Sequence, residues 1–207
     1  MRRLLARALG ALAPLSDAAL EALSAASERR NFAALDWLLR PGELAEWCFL
    51  LEGGLVREFY LGEAGEEHTR AFIEAGQMTG SLLDLLSGLP AVTCVQALEA
   101  TSTVAWRYRD FEAQAERFPE LQRLARRHAE RLYVKKTRRE HEMLALPAAE
   151  RYARFREENP ALDARVSQWQ VASYLGITPE HLSRLRRAAP ARGQTPQPGA
   201  AGPRRKG

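Results

Sequence analysis

Apolar residues recur along this 207-residue chain with a helical spacing at each end and an alternating one between. Near the start, Ser16 precedes Leu20 and Leu23, the pattern of a short capped helix with one apolar face. From about Phe32 to Arg107 the period falls to two. FLLEGGLVREFY reads as strand, Gly53-Gly54 turn, strand, and LGEAGEEHTRAFI repeats this around Gly62 and Gly65. Short strands with glycine corners predict a small antiparallel barrel or roll, with Trp37, Trp47 and Trp106 as its core or rim aromatics. The helical period then returns. Asp110 can cap a short helix and Pro119 can open a longer one, PELQRLARRHAERLYVKKTRREHEMLAL, with Leu121, Leu124, Ala125, His128 and Leu132 on one face. About 26 residues at 1.5 Å each give about 39 Å, more than the roll alone needs, so that face either lies on its own roll or pairs with a second copy. AAERYARFREENPAL predicts one more helix, stopped near Pro160.

Residues 165–187, RVSQWQVASYLGITPEHLSRLRR, carry the most specific local pattern. Ser167 with Gln170 is a capping box, in which the hydroxyl takes a first-turn N–H and the amide reaches back to the cap. Val171, Ala172 and Leu175 then form one apolar stripe, and Gly176 supplies the left-handed turn that ends the helix. Thr178 caps a second helix, Pro179 suits its first position, and Leu182 and Leu185 point back at the first. Glu180, Arg184 and Arg187 share another face. Arg can place two parallel donors on guanine, Glu can accept from cytosine, and Ser183 or Thr178 can bond a phosphate oxygen. The alternative is a helical hairpin whose charged side is only solvated. Capping box, glycine turn, Thr-Pro start and basic face together favour a DNA-reading helix-turn-helix.

At this point ASYLGITPEHLSRLRR resembles the recognition element of the Crp/Fnr family of bacterial transcription regulators, and residues of roughly 15 to 188 follow that family in order. RPGELAEWCFLLEGGLVREFY resembles the family's jelly-roll-like cyclic-nucleotide-binding fold. The resemblance implies that Glu180 and Arg184 meet bases and that Ser167 and Gln168 hold backbone phosphates, while Pro179 stands where the family often has a further Arg. It also implies that the long helix pairs with its copy about a two-fold axis. Members that bind a cyclic nucleotide use a Gly-Glu pair at the start of a short helix and an Arg followed by Ser or Thr. Within GQMTGSLLDLLSGLPAVTCVQALEAT the resemblance puts Gln77 at the Glu, and Ala91 and Val92 at the Arg and the hydroxyl. A phosphate buried there would lack a cation, so the pocket is expected to be vestigial or to serve an uncharged effector.

Charge agrees with this division. Residues 1–150 hold 19 Lys+Arg against 22 Asp+Glu, net −3, and residues 151–207 hold 11 against 4, net +7. Arg192, Arg204, Arg205 and Lys206 of the tail supply part of that excess. An acidic front and a basic back suit a sensor-like domain joined to one that binds a polyanion. Cys48 and Cys94, and the dispersed His68, His128, His141 and His181, offer no disulfide framework or metal-ligand spacing, and no nucleophile elbow, phosphate loop or His-Glu-x-x-His is present. MRRLLARALGALAPLSDAAL is acid-poor as targeting peptides are, but Arg7 interrupts its apolar run, and a packed helix is the favoured reading. AAPARGQTPQPGAAGPRRKG has no apolar face to bury and is expected to be disordered, which leaves a β-hairpin wing in question.

The expectation is therefore an α+β chain: an N-terminal antiparallel β-roll of the cyclic-nucleotide-binding-like type with its leading helix (1–109), a linker and dimerisation helix (110–146), a helix-turn-helix domain (147–189) and a basic tail (190–207). It is expected to be a cytoplasmic, non-enzymatic regulator without cofactor or metal. Its partners would be double-stranded DNA, a second copy and RNA polymerase, and no membrane. The competing expectation is a small-ligand-binding or protein-tethering module. Calorimetric titration with cyclic AMP should show no saturable micromolar site; finding one would overturn the reading of Ala91 and Val92.

Overall fold

The computed structural model describes residues 1–188. Two helices open the chain, α1 (Arg2–Gly10) and α2 (Asp17–Ala25). Ser16 caps α2 as expected, accepting from the Ala19 amide at 3.1 Å. α1 lies in the stretch that resembled a targeting peptide; its Leu5 and Leu9 are buried, so its apolar spacing serves the core. No helix among the described residues is long and apolar enough to cross a membrane.

Eight strands follow as two antiparallel four-stranded sheets. β1 (Ser27–Phe32), β8 (Thr101–Arg107), β3 (Trp47–Gly53) and β6 (Met78–Thr79) form one, in that order. β2 (Trp37–Leu39), β7 (Thr93–Ala97), β4 (Leu55–Leu61) and β5 (Glu67–Glu74) form the other. Leu39, Leu51, Val56, Ile73 and Val95 fill the space between them. The β4–β5 hairpin turns through Gly62 and Gly65 as expected. The Gly53-Gly54 corner does not make a hairpin, because β3 pairs with β8 and β6 while β4 pairs with β5 and β7. Gly54 instead carries the chain from one sheet to the other at φ +95, where a Cβ would stand 2.6 Å from Thr101 Cα.

A short helix, α3 (Leu82–Ser87), interrupts the roll between β6 and β7. After β8 come α4 (Tyr108–Arg117) and the long α5 (Pro119–Ala145), which Pro119 opens. Asp110 lies in the first turn of α4 rather than capping it; Arg107 holds the cap position. The expected seam on α5 divides. Leu121 and Leu124 are buried with Leu50, Val104, Trp106 and the leucines of α1 and α2, in the protomer's own core. Ala125 is exposed, and His128 and Leu132 are half-buried. The face that looked like one seam thus changes role after its first turns, because α5 leaves the roll it starts on. Burial, with Arg131 nearby, pulls the His128 imidazole below its usual pKa.

The C-terminal helices are α6 (Ala148–Glu158), a single turn α7 (Leu162–Arg165), α8 (Gln168–Leu175) and α9 (Pro179–Ala188). α7 takes up the stretch between α6 and α8, and among the described residues no strand follows β8, so no wing hairpin, the feature left in question by the sequence, is formed there. The expected tail, 190–207, lies outside the described residues.

Leu121→Ala should destabilise the isolated protomer by about 2–5 kcal/mol, the range for emptying a core leucine site. Urea unfolding read at several protein concentrations checks this, and a loss that appears only through weakened self-association would place Leu121 back in a dimer seam.

Candidate nucleic-acid interface

The helix-turn-helix is built from local capping. Ser167 Oγ accepts from the Gln170 amide at 3.2 Å, and Gln170 Oε1 accepts from the Ser167 amide at 3.0 Å, closing the capping box. Gly176 ends α8 at φ 64, ψ 40, a conformation costly for any residue with a Cβ, and a Cβ there would meet Met143 Cε at 2.4 Å. Thr178 Oγ1 accepts from the His181 amide at 3.2 Å, starting α9. In the Ser167 cap the hydroxyl spends a lone pair and keeps its proton, so Ser167 can still donate to a phosphate oxygen, whereas the Thr178 hydroxyl is directed at the Glu180 carboxylate.

The outward row is as the spacing predicted: Glu180, Arg184 and Arg187 are exposed along α9, while Leu182 is buried and Leu185 half-buried behind them. The backbone N–H of Glu180 itself, then the Thr178 hydroxyl and more weakly Arg184, hold the Glu180 carboxyl below its usual range, so it is an acceptor at neutral pH. Ser167, Gln168 and Thr178 are exposed and Ser183 is half-buried. Six of these seven side chains are thus exposed on α8, α9 or their caps, and Ser183 is half-buried.

How the unit is held was not legible from spacing. Leu55 of β4 and Phe72 of β5 belong to one apolar cluster with Tyr152, Phe155, Val171, Leu175 and Leu182. Ser173, in the middle of α8, replaces a strand neighbour at the sheet edge: its hydroxyl accepts from the Thr69 amide at 2.8 Å and donates to the Glu67 carbonyl at 2.7 Å. Arg165 forks to Glu99 at 2.6 Å and Glu74 at 2.8 Å, and reaches the Gly54 carbonyl at 3.2 Å. Trp169 of α8 lies over the buried Arg57, with the guanidinium carbon 4.9 Å from the ring centroid. Arg57 in turn donates to Glu67 at 2.6 Å and Thr69 at 2.9 Å. Two further cations close the C-terminus of α8, where carbonyls lack helical partners: Arg139 donates to the Tyr174 carbonyl and stacks at 4.0 Å on its ring, and Arg151 donates to the Leu175 carbonyl at 3.1 Å. Arg186 pairs with Asp163 at 2.5 Å, tying α9 to α7. One signal for this docking was present: Arg57 is a lone cation in the alternating run LVREFY, and Trp169 an aromatic among polar cap residues.

The three residues assigned to a vestigial effector pocket are not gathered as expected. Gln77 is exposed on the turn between β5 and β6, and the short helix begins five residues later, at Leu82 after Ser81. The residue at the helix start is Ser81, not Gln77. Ala91 is buried and Val92 exposed, just before β7. Both thiols are raised by burial, Cys48 to about 12 and Cys94 to about 11.

The two-sheet roll, the long helix and the C-terminal helical unit recur together in solved structures. The fold is that of the Crp/Fnr regulators. FixK2 from Bradyrhizobium japonicum superposes with a TM-score of 0.67 at 22% identity, over 78% of this chain and 83% of that one. The c-di-GMP responsive global regulator CLP from Xanthomonas campestris gives 0.67 at 16% identity, over 84% and 91%. In sequence, the chain is 27% identical over 168 residues to the Transcriptional activator protein anr of Pseudomonas aeruginosa. That match covers 72% of this chain and 65% of the relative's length. No protein-family model matches the chain. Similarity to this Crp/Fnr fold agrees with the expected α+β roll, long helix and C-terminal helical domain.

Ser173→Ala would leave the Thr69 amide and the Glu67 carbonyl without their partner, at a cost of roughly 1–3 kcal/mol. Amide exchange at Thr69 should quicken selectively; unchanged protection there would show that Ser173 does not join the two units.

Proposed function

We propose that this chain is a sequence-specific DNA-binding transcription regulator acting as a homodimer on an inverted-repeat operator, without catalysis and without need of a cyclic nucleotide. The observation that carries the reading is the solvent-facing row of Glu180, Arg184 and Arg187 on a helix fixed from behind by Leu182 and the Arg186–Asp163 pair. In this reading α9 enters the major groove. Arg184 and Arg187 take guanine O6 and N7 and Glu180 accepts from cytosine N4. Ser167, Gln168, Thr178 and Ser183 hold phosphates on either side, and the exposed N-terminus of α8 adds unpaired amides for one of them. Ala125, His128 and Leu132, the part of the α5 face not spent on the roll, would meet a second copy. Two recognition helices about 34 Å apart then read half-sites one turn of duplex apart. RNA polymerase is the further partner such a regulator addresses.

A second reading, a small-ligand-binding module, has one observation in its favour. A cleft of about 500 Å³ lies between β5, α3 and α5, lined by Ile73, Met78, Leu82, Leu85 and Leu132 with Arg70 at one side. Salt separates the two readings, because each phosphate contact releases counterion and DNA affinity falls steeply as ionic strength rises, whereas an apolar ligand is held much the same.

Selection from a random duplex pool should return an inverted repeat. On that site Arg184→Ala should lose about 1–3 kcal/mol of discrimination at one base pair per half-site. Loss spread evenly over all sequences would reassign Arg184 to phosphate, and no enrichment from the pool would end the reading.

A further inference from the structure

We propose that Asp84 is a built-in anion: its carboxylate fills an anion seat formed by Ser81 and the start of β7, and so holds α3 in place with no effector. Asp84 is the one buried residue of α3, at 3% exposure. Its Oδ2 accepts from the Ser81 hydroxyl at 2.5 Å and the Thr93 amide at 3.3 Å, and its Oδ1 from the Val92 amide at 3.2 Å. The Ser81 and Thr93 hydroxyls lie 2.9 Å apart, extending the set. Among the described residues no cation pairs with this carboxylate. A buried charge met only by aligned N–H and O–H dipoles is the arrangement by which proteins bind small oxyanions, here turned on the chain's own side chain.

The rest of α3 explains why an anchor is needed. Leu83 and Leu86, with Leu89 just beyond the helix, are more than half exposed, and Leu82 and Leu85 are half-buried at the cleft facing α5. A six-residue helix whose leucines are at most half-buried has only a weak hydrophobic hold on its position. Ser81 also holds a left-handed φ of 47, which a residue with a side chain adopts only when its surroundings compel it. Burial on its own would push the Asp84 carboxyl up, and the hydrogen bonds from Ser81, Thr93 and the Val92 and Thr93 amides outweigh it and hold it below its usual value. The net interaction therefore favours the charged form. Because α3 lines the cleft against α5, fixing α3 fixes one wall of the space beside the helix that precedes α6–α9. That last step, from α3 to DNA, rests on the proposed function; the anion seat itself does not.

The test uses the full chain. Asp84→Ala should melt lower than the wild type by about 4 °C or more, and millimolar formate should restore part of the loss while chloride at equal ionic strength does not. Wild-type protein, its seat filled, should show no formate effect. Operator affinity of Asp84→Ala should fall about tenfold and recover with formate. An unchanged melting point, or equal effects of formate and chloride, would overturn the seat. A formate-responsive melt with undiminished operator binding would overturn its role in place of an effector. Wild-type protein that ignores DNA would end the functional reading, leaving the melting arm to judge the seat alone. Should Asp84→Ala not fold, carboxyl chemical shifts of the wild type and Ser81→Ala decide. The Asp84 carboxyl should titrate below about 3.9 in the wild type and move up in Ser81→Ala; an ordinary value in both would sink the proposal.

Discussion

The outer face of the β4–β5 pair has to be covered, and covering it orients everything after residue 146. Leu55, Arg57 and Phe72 point away from the interior of the roll, yet all three are buried. A strand pair with one face on the roll and the other on helices has no freedom of register, because a shift of one residue would send Val56 and Ile73 outward and Arg57 inward. Helices α6 and α8 supply the cover through Phe155, Tyr174 and Leu175, and Ser173 continues the sheet edge where a strand would otherwise pair.

Polar groups set the rotation of that cover. Hydrophobic burial is not directional and would tolerate α8 at several angles. The two hydrogen bonds of Ser173, the fork of Arg165 and the Trp169–Arg57 stack each have one geometry. Arg57 is worth noticing here, since burial lowers its pKa while the Glu67 hydrogen bond and charge raise it, and it remains a guanidinium between two rings. With α8 so fixed, α9 has its Glu180–Arg184–Arg187 row facing solvent.

The same economy runs through α5. Its first turns belong to the core under α1 and α2, its middle passes the cleft beside α3, and its end clamps the turn between α8 and α9 through Arg139 and Met143. One helix thus packs on the roll, borders the cleft that α3 lines and holds the end of α8. Asp84 is the one buried residue of α3, whose remaining side chains are half-buried or exposed.

What the chain reveals before folding is whatever a few consecutive residues can complete among themselves. The capping box of Ser167 and Gln170, the turn at Gly176, the Thr178-Pro179 start and the Ser16 cap are satisfied within one helical turn, so each could be read from spacing. The charged row on α9 was legible for the same reason. Partners distant in sequence were not: Thr69 with Ser173, Glu99 with Arg165, Arg57 with Trp169 and Asp84 with Thr93 meet only because the roll closes. Leu121 and Leu132 share one periodicity on α5, yet one is core and the other borders a cleft. A helix states which residues share a face, and only the packed whole decides what that face meets.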